Sequence, residues 1–97
     1  MNYNFEWDPH KAQQNLQKHK INFESATEIF SDPFSISIFD DEHSATEDRW
    51  VSIGKDHSNN VLVVIHTFRE ISTNESNIRI ISARKTIKNE IKQYEAI

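Results

Sequence analysis

Apolar positions along this chain recur three and four apart in its first third, two apart in the middle and almost without a break around residue 64. Each rhythm predicts a different element. Residues 4–7 read as a short strand. Asp8 then offers a capping carboxylate and Pro9 suits the first helical position, which predicts a helix through His19. Its apolar positions are few, Ala12 and Leu16, so it belongs on the surface with Lys11, Lys18 and His19 outward. A second short helix starts from Asn22 as cap, buries Phe23, Ala26 and Phe30, and stops at Asp32 and Pro33. Beyond it Phe34, Ile36 and Ile38 alternate with Ser35 and Ser37, which predicts a half-buried strand. An acidic loop over residues 40–48 leads to a strand over 49–53 and a turn rich in breakers, GKDHSNN. Residues 61–68, VLVVIHTF, form the expected central strand, covered on both faces. After a polar loop over 71–77 come a strand over 78–82 and a last helix, with Ile87, Ile91 and Tyr94 as its packing stripe. The order β-α-α-β-β-β-β-α describes an α+β fold whose last four strands form an antiparallel meander.

With 97 residues, 36% of them hydrophobic, one glycine and two prolines, the chain is expected to be a single domain, 1–97, with one modest core. Cysteine is absent from the sequence, which excludes disulfides, thiolate metal sites and cysteine nucleophiles and fits a reducing cytosol. No apolar run approaches the ~20 residues of a membrane span, and the opening MNYNFEWD lacks signal-peptide character, so a cytoplasmic protein without membrane association is expected. The formal charge of -4 is unevenly spread. Residues 23–56 hold nine acidic side chains against two basic ones, whereas residues 57–97 hold six basic against four acidic. Within that second part Arg79, Arg84, Lys85, Lys88 and Lys92 crowd around RIISARK, a cationic cluster suited to an anion such as RNA phosphate, or simply a solvated face.

Four segments in order, FEWDPHKAQQNLQKHKINFESATEIFSDP, DDEHSATEDRWVSIG, LVVIHTFRE and RIISARK, carry a resemblance. Through them the chain resembles the BrnT toxins of type II toxin-antitoxin systems, a branch of the RelE/ParE superfamily. Lys20 stands where that pattern has a glycine between the first two helices, and Thr86 where it has an alanine. The resemblance implies a RelE-like antiparallel sheet with two N-terminal helices and one C-terminal helix packed on it. It also implies a ribonuclease that arrests translation, held inactive by a BrnA-like, DNA-binding antitoxin, with a hetero-tetramer as one assembly. Two other readings stay open: a non-catalytic half of a DNA-binding repressor complex, and a ParE-like gyrase inhibitor.

RNA cleavage without a metal needs a base for the 2'-hydroxyl, an acid for the leaving 5'-oxygen and cations at the phosphorus. His66 is the one histidine set in a strong strand, and imidazole titrates near neutrality. Arg69, Arg79 and Arg84 supply forked donors for phosphate oxygens. These four are the expected catalytic residues, with Lys11, Lys85, Lys88 and His43 as RNA contacts. Strand alternation sets a condition: His66 shares a face with Val64 and Phe68, while Arg69 points away unless the strand ends or bulges near Phe68. The bland readings are a hydrogen-bonded core histidine, an Arg79 paired with Glu70 or Glu75, and Arg84 and Lys85 in the first turn of a helix. Asp40, Asp41, Glu42 and His43 are consecutive loop residues without converging ligand spacing, so no metal and no cofactor is expected. Trp7 and Trp50 read as core residues, Ser44 and Ser82 lack a triad around them, and the lone Gly54 rules out a phosphate-cradling glycine loop.

Overall fold

The computed structural model describes residues 2–96, so the expected span 1–97 includes two residues, Met1 and Ile97, that lie outside the described residues. The elements are β1 (Asn2–Glu6), α1 (Pro9–His19), α2 (Phe23–Glu28), a 3-10 turn over Ile29–Ser31, β2 (Ile36–Phe39), a 3-10 turn over Asp41–His43, β3 (Arg49–Lys55), β4 (Val61–Thr67), β5 (Arg69–Ser72), β6 (Glu75–Lys85) and α3 (Lys88–Glu95). They form an α+β fold around a six-stranded sheet with the path β1-β6-β4-β3-β2, and β5 pairs with β6. The sheet is mixed rather than antiparallel, because β1 runs parallel to β6. A strand that begins the chain and is followed by two helices can return beside the last strand in that direction. The predicted polar loop over 71–77 is a second departure: β5 (residues 69–72) runs into its start and pairs with β6, which already begins at Glu75.

Local signals act where they were expected. Asp8 Oδ1 accepts from the His10 amide at 2.8 Å and Asn22 Oδ1 from the Ser25 amide at 2.7 Å, capping α1 and α2. Lys20 ends α1 in the left-handed region at φ 62, the conformation a glycine would adopt without cost.

α1 and α2 pack against β6, and α3 against β3. Ile21, Phe23, Ala26 and Ile29 close over Leu62, Val64, Ile78, Ile80 and Ala83 as the main core, with Phe30 and Trp7 at its margin. Ile53, Val63 and Tyr94 make a smaller core on the α3 face. Central strand β4 is thus covered on both sides. Gly54 is needed here, since a Cβ would stand 2.9 Å from that of Ile29 and 3.0 Å from that of Ser35. Two predicted stripes are narrower than expected. Ile87 is 60% exposed and serves as the cap of α3, leaving Tyr94 and Ile91 to pack, and β2 is an edge strand with Phe34 and Ile38 largely outside.

The buried anchor of α1 is Asn15, not Leu16, which is 47% exposed while Asn15 is 6% exposed. Pairing with β1 covers β6 only as far as Arg79. Farther along, Asn15 takes the place of a neighbouring strand: its Oδ1 accepts from the Ala83 amide at 3.0 Å and its Nδ2 donates to the Ala83 carbonyl at 2.8 Å. The same Nδ2 donates to the Ile21 carbonyl at 2.9 Å, tying the chain after α1 to the sheet. One carboxamide therefore satisfies backbone groups that would be costly to bury unpaired.

Candidate functional site

β4 ends at Thr67 and β5 begins at Arg69, so the strand does break at Phe68. The break does not bring Arg69 round to His66. Opposite β4 the register slips by one between Ile65 and His66, leaving Ile81 of β6 as the extra residue, yet side chains on β4 keep alternating. His66 and Phe68 face a cavity of about 220 Å³ with Tyr3, Phe30, Ser35, Ser37, Trp50 and Ile78. Thr67, Arg69 and Arg79 face a separate cavity of about 450 Å³ with Glu6, Glu47, Asp48 and Asn77. Among the described residues Phe68 alone lines both. The expected convergence of the histidine and the arginines on one concave spot is therefore not what the fold builds.

His66 is 2% exposed. Its Nδ1 lies 3.0 Å from the Thr67 carbonyl, which can only accept, so Nδ1 carries the proton and Nε2 accepts from the Ser52 hydroxyl at 2.6 Å. Ser52 Oγ is in turn 2.6 Å from the hydroxyl of Ser37, an exposed edge-strand residue. Phe30 meets the ring edge to face at 4.8 Å. Burial pushes the His66 pKa below its ordinary value, against a smaller opposite effect of the Thr67 carbonyl. The residue is neutral and satisfied at both nitrogens.

Of the arginines, two come together. Arg79, on β6, forms an ion pair with Glu47 from the loop before β3, not with Glu70 or Glu75. Arg69 is exposed at the start of β5, where it pairs in register with Asn77. Arg79 also lines a neighbouring depression with Asp8, Lys11, Ile80 and Ile81, so Lys11 approaches the same region from α1. Arg84 is elsewhere, near the far end of β6, roughly 16 Å along the strand from Arg79 at about 3.3 Å per residue. It and Lys85 belong to β6, not to the first turn of α3. The Arg84 guanidinium donates through both terminal nitrogens to Glu90 at 2.8 Å. Glu90 Oε1 also accepts from the Ile87 amide at 2.8 Å, capping α3. The Glu90 hydrogen bonds hold Arg84 above its usual range, and those from Arg84 hold Glu90 below its own. Lys85 and Lys88 are exposed beside this pair.

His43 is 62% exposed and its Nδ1 lies 2.9 Å from Asp40 Oδ2. Ser44 Oγ donates to the Asp40 carbonyl at 2.5 Å and accepts from the Arg49 amide at 3.0 Å, so the DDEHS run shapes the turn into β3. Among the described residues no three His, Asp or Glu side chains gather as metal ligands would. Two residues at these places escaped the sequence reading. Asn15 carried a usable signal, a polar side chain three residues after Ala12 on the inward side of α1; Glu47 carried none, being one of several acids in a loop.

Fold and cavity together define a small α+β protein with an arginine-lined polar site open to solvent on one face of a mixed sheet. Residues 7–90 match the family described as ribonuclease toxin, BrnT, of type II toxin-antitoxin systems, and the chain belongs to that family. Its fold is similar to the 1.1 Å crystal structure of the Brucella abortus ribonuclease toxin BrnT, with TM-score 0.57 and 20% identity over 91% of this chain and 100% of that one. No curated protein matches the chain. No helix among the described residues is long and apolar enough to cross a membrane.

Proposed function

We propose that this chain is a cytoplasmic, single-domain, RelE-like endoribonuclease toxin that cuts RNA without a metal ion, stops translation and is neutralised by a BrnA-like, DNA-binding antitoxin in a hetero-tetramer. The observation that supports it is the cavity where Arg69 and Arg79 meet, in a member of a ribonuclease toxin family. The two guanidinium groups are the phosphate ligands, because their fork matches two phosphate oxygens. Lys11 extends the contact along Arg79, with Arg84, Lys85, Lys88 and His43 as the further RNA contacts of this reading.

Charge in the cavity is nearly balanced: Arg69 and Arg79 face Glu6, Glu47 and Asp48. RNA is therefore held by directed donors rather than drawn in by a broad positive field. The acidic stretch 23–56 suits a basic segment of the antitoxin, and their affinity falls as salt rises. A short single-stranded RNA incubated with the purified chain in EDTA tests the activity. Cleavage leaving a 2',3'-cyclic phosphate is expected, and intact RNA overturns the reading; DNA damage with intact RNA in arrested cells points to a gyrase poison instead.

A second reading keeps His66 in the chemistry. The chain of hydrogen bonds from its Nε2 through Ser52 to the exposed Ser37 is a route for a proton, and it predicts that cleavage collapses in Ser37→Ala as it does in His66→Ala.

A further inference from the structure

We propose that Glu47 is the general base of the cleavage reaction, an assignment that rests on the ribonuclease reading above. A base must lie within reach of both the attacking hydroxyl and the cations that hold the phosphate. Glu47 satisfies this: its carboxylate contacts the Arg79 guanidinium, and both line the polar cavity with Arg69, Thr67 and Asn77. The two side chains are 39% and 40% exposed, so a nucleotide can reach them from solvent. His66 opens on the other cavity with both ring nitrogens engaged. Asp48 and Glu6 also line the polar cavity, but among the described residues Glu47 is the acid there that is paired with a cation.

When a phosphodiester enters, its non-bridging oxygens take the donors of Arg69 and Arg79. Glu47, displaced by a bond length or two, is left beside the ribose. The 2'-hydroxyl passes its proton to the Glu47 carboxylate as its oxygen bonds to phosphorus, and the bond from phosphorus to the 5'-oxygen breaks. That oxygen takes a proton from water, and the hydroxide so formed recovers the proton from Glu47. The products are a 2',3'-cyclic phosphate and a 5'-hydroxyl, with no other reactant.

The test measures single-turnover cleavage of a short RNA against pH for wild type, Glu47→Gln and Glu47→His. Binding is followed with the same oligonucleotide carrying a 2'-deoxy residue at the cut, and folding by thermal melting. Glu47→Gln is expected to bind at least as well as wild type while cleaving about 10²–10⁴-fold more slowly, the usual worth of a positioned base. Glu47→His is expected to regain part of the rate and to move the acid limb of the profile upward, because an imidazolium is a weaker acid than a carboxylic acid and can still take the hydroxyl proton once neutral. A Glu47→Gln variant as fast as wild type makes Glu47 only the resting partner of Arg79 and overturns the assignment alone. A wild-type chain that cuts no RNA overturns the ribonuclease reading and this assignment with it.

Discussion

On the face of the sheet beneath α2 a histidine is shut in and neutral, while on the opposite face, one to three residues farther along the same run of chain, Thr67 and Arg69 open on a polar cavity. The difference follows from what each side chain can give up. Imidazole can enter an apolar setting by losing its proton, and Ser52 and Thr67 then satisfy both nitrogens. Guanidinium keeps its charge, so it must keep water or a partner; Arg79 has Glu47 and Arg69 has solvent. The face that stays wet is thus the one fitted to meet a phosphate, and the closed face is fitted to hold the fold.

This contrast is broken or sharpened most strongly by Arg79→Ala. Cleavage is expected to fall about 10²–10³-fold with loss of a preorganised cation, while the unfolding free energy changes by less than about 1 kcal/mol because the ion pair with Glu47 is solvent-exposed. An equal loss from Arg84→Ala would move the site toward α3. Next comes Asn15→Ala, at the edge of β6 shared by both faces. Urea denaturation is expected to lose about 2–4 kcal/mol, because buried groups of Ala83 and Ile21 are left unpaired.

His66→Gln is expected to cost about 1–3 kcal/mol of stability and to leave cleavage per folded molecule largely intact; collapse of the rate with stability unchanged would erase the division between the faces. The wild-type pH dependence carries the matching sign. Folded His66 titrates below its unfolded value, so as pH falls the unfolded chain binds the proton first, and stability drops below about 6.5. That slope is expected to be reduced in His66→Gln.

The smallest effect lies under α3, where the Tyr94 hydroxyl donates to Asp32 Oδ2 at 2.5 Å. Burial, with help from Asp32, pushes Tyr94 up to about 12. Burial alone would raise Asp32, but the hydrogen bonds from Tyr94 and from the Lys55 and Phe34 amides outweigh it and hold the carboxyl below the usual range. The tyrosine contribution is fully present below about pH 10 and lost as pH rises through about 12; the aspartate contribution is present above about 3.9 and lost as pH falls below that. Tyr94→Phe is expected to cost about 1 kcal/mol at pH 7 and to flatten both ends of the stability profile.

Much of this arrangement was legible beforehand. The caps at Asp8 and Asn22, the stripe of Phe23 and Ala26, the central β4 and the opposed directions of His66 and Arg69 all follow from spacing. β5 was not legible, because REIS is short and polar and gains strand geometry only by pairing with β6. The parallel partnership of β1 and the exposure of Ile87 were likewise invisible, since each depends on where a distant element lands.

By itself the sequence determined the elements other than β5 and which way consecutive side chains point, because caps and periodicity act between residues a few positions apart. Tertiary structure alone decided which groups meet. Asn15 and Ala83 are 68 residues apart, Asp32 and Tyr94 62, and Glu47 and Arg79 32. No local rhythm encodes such pairs; they form only when the sheet has closed and the chain between them has been folded away.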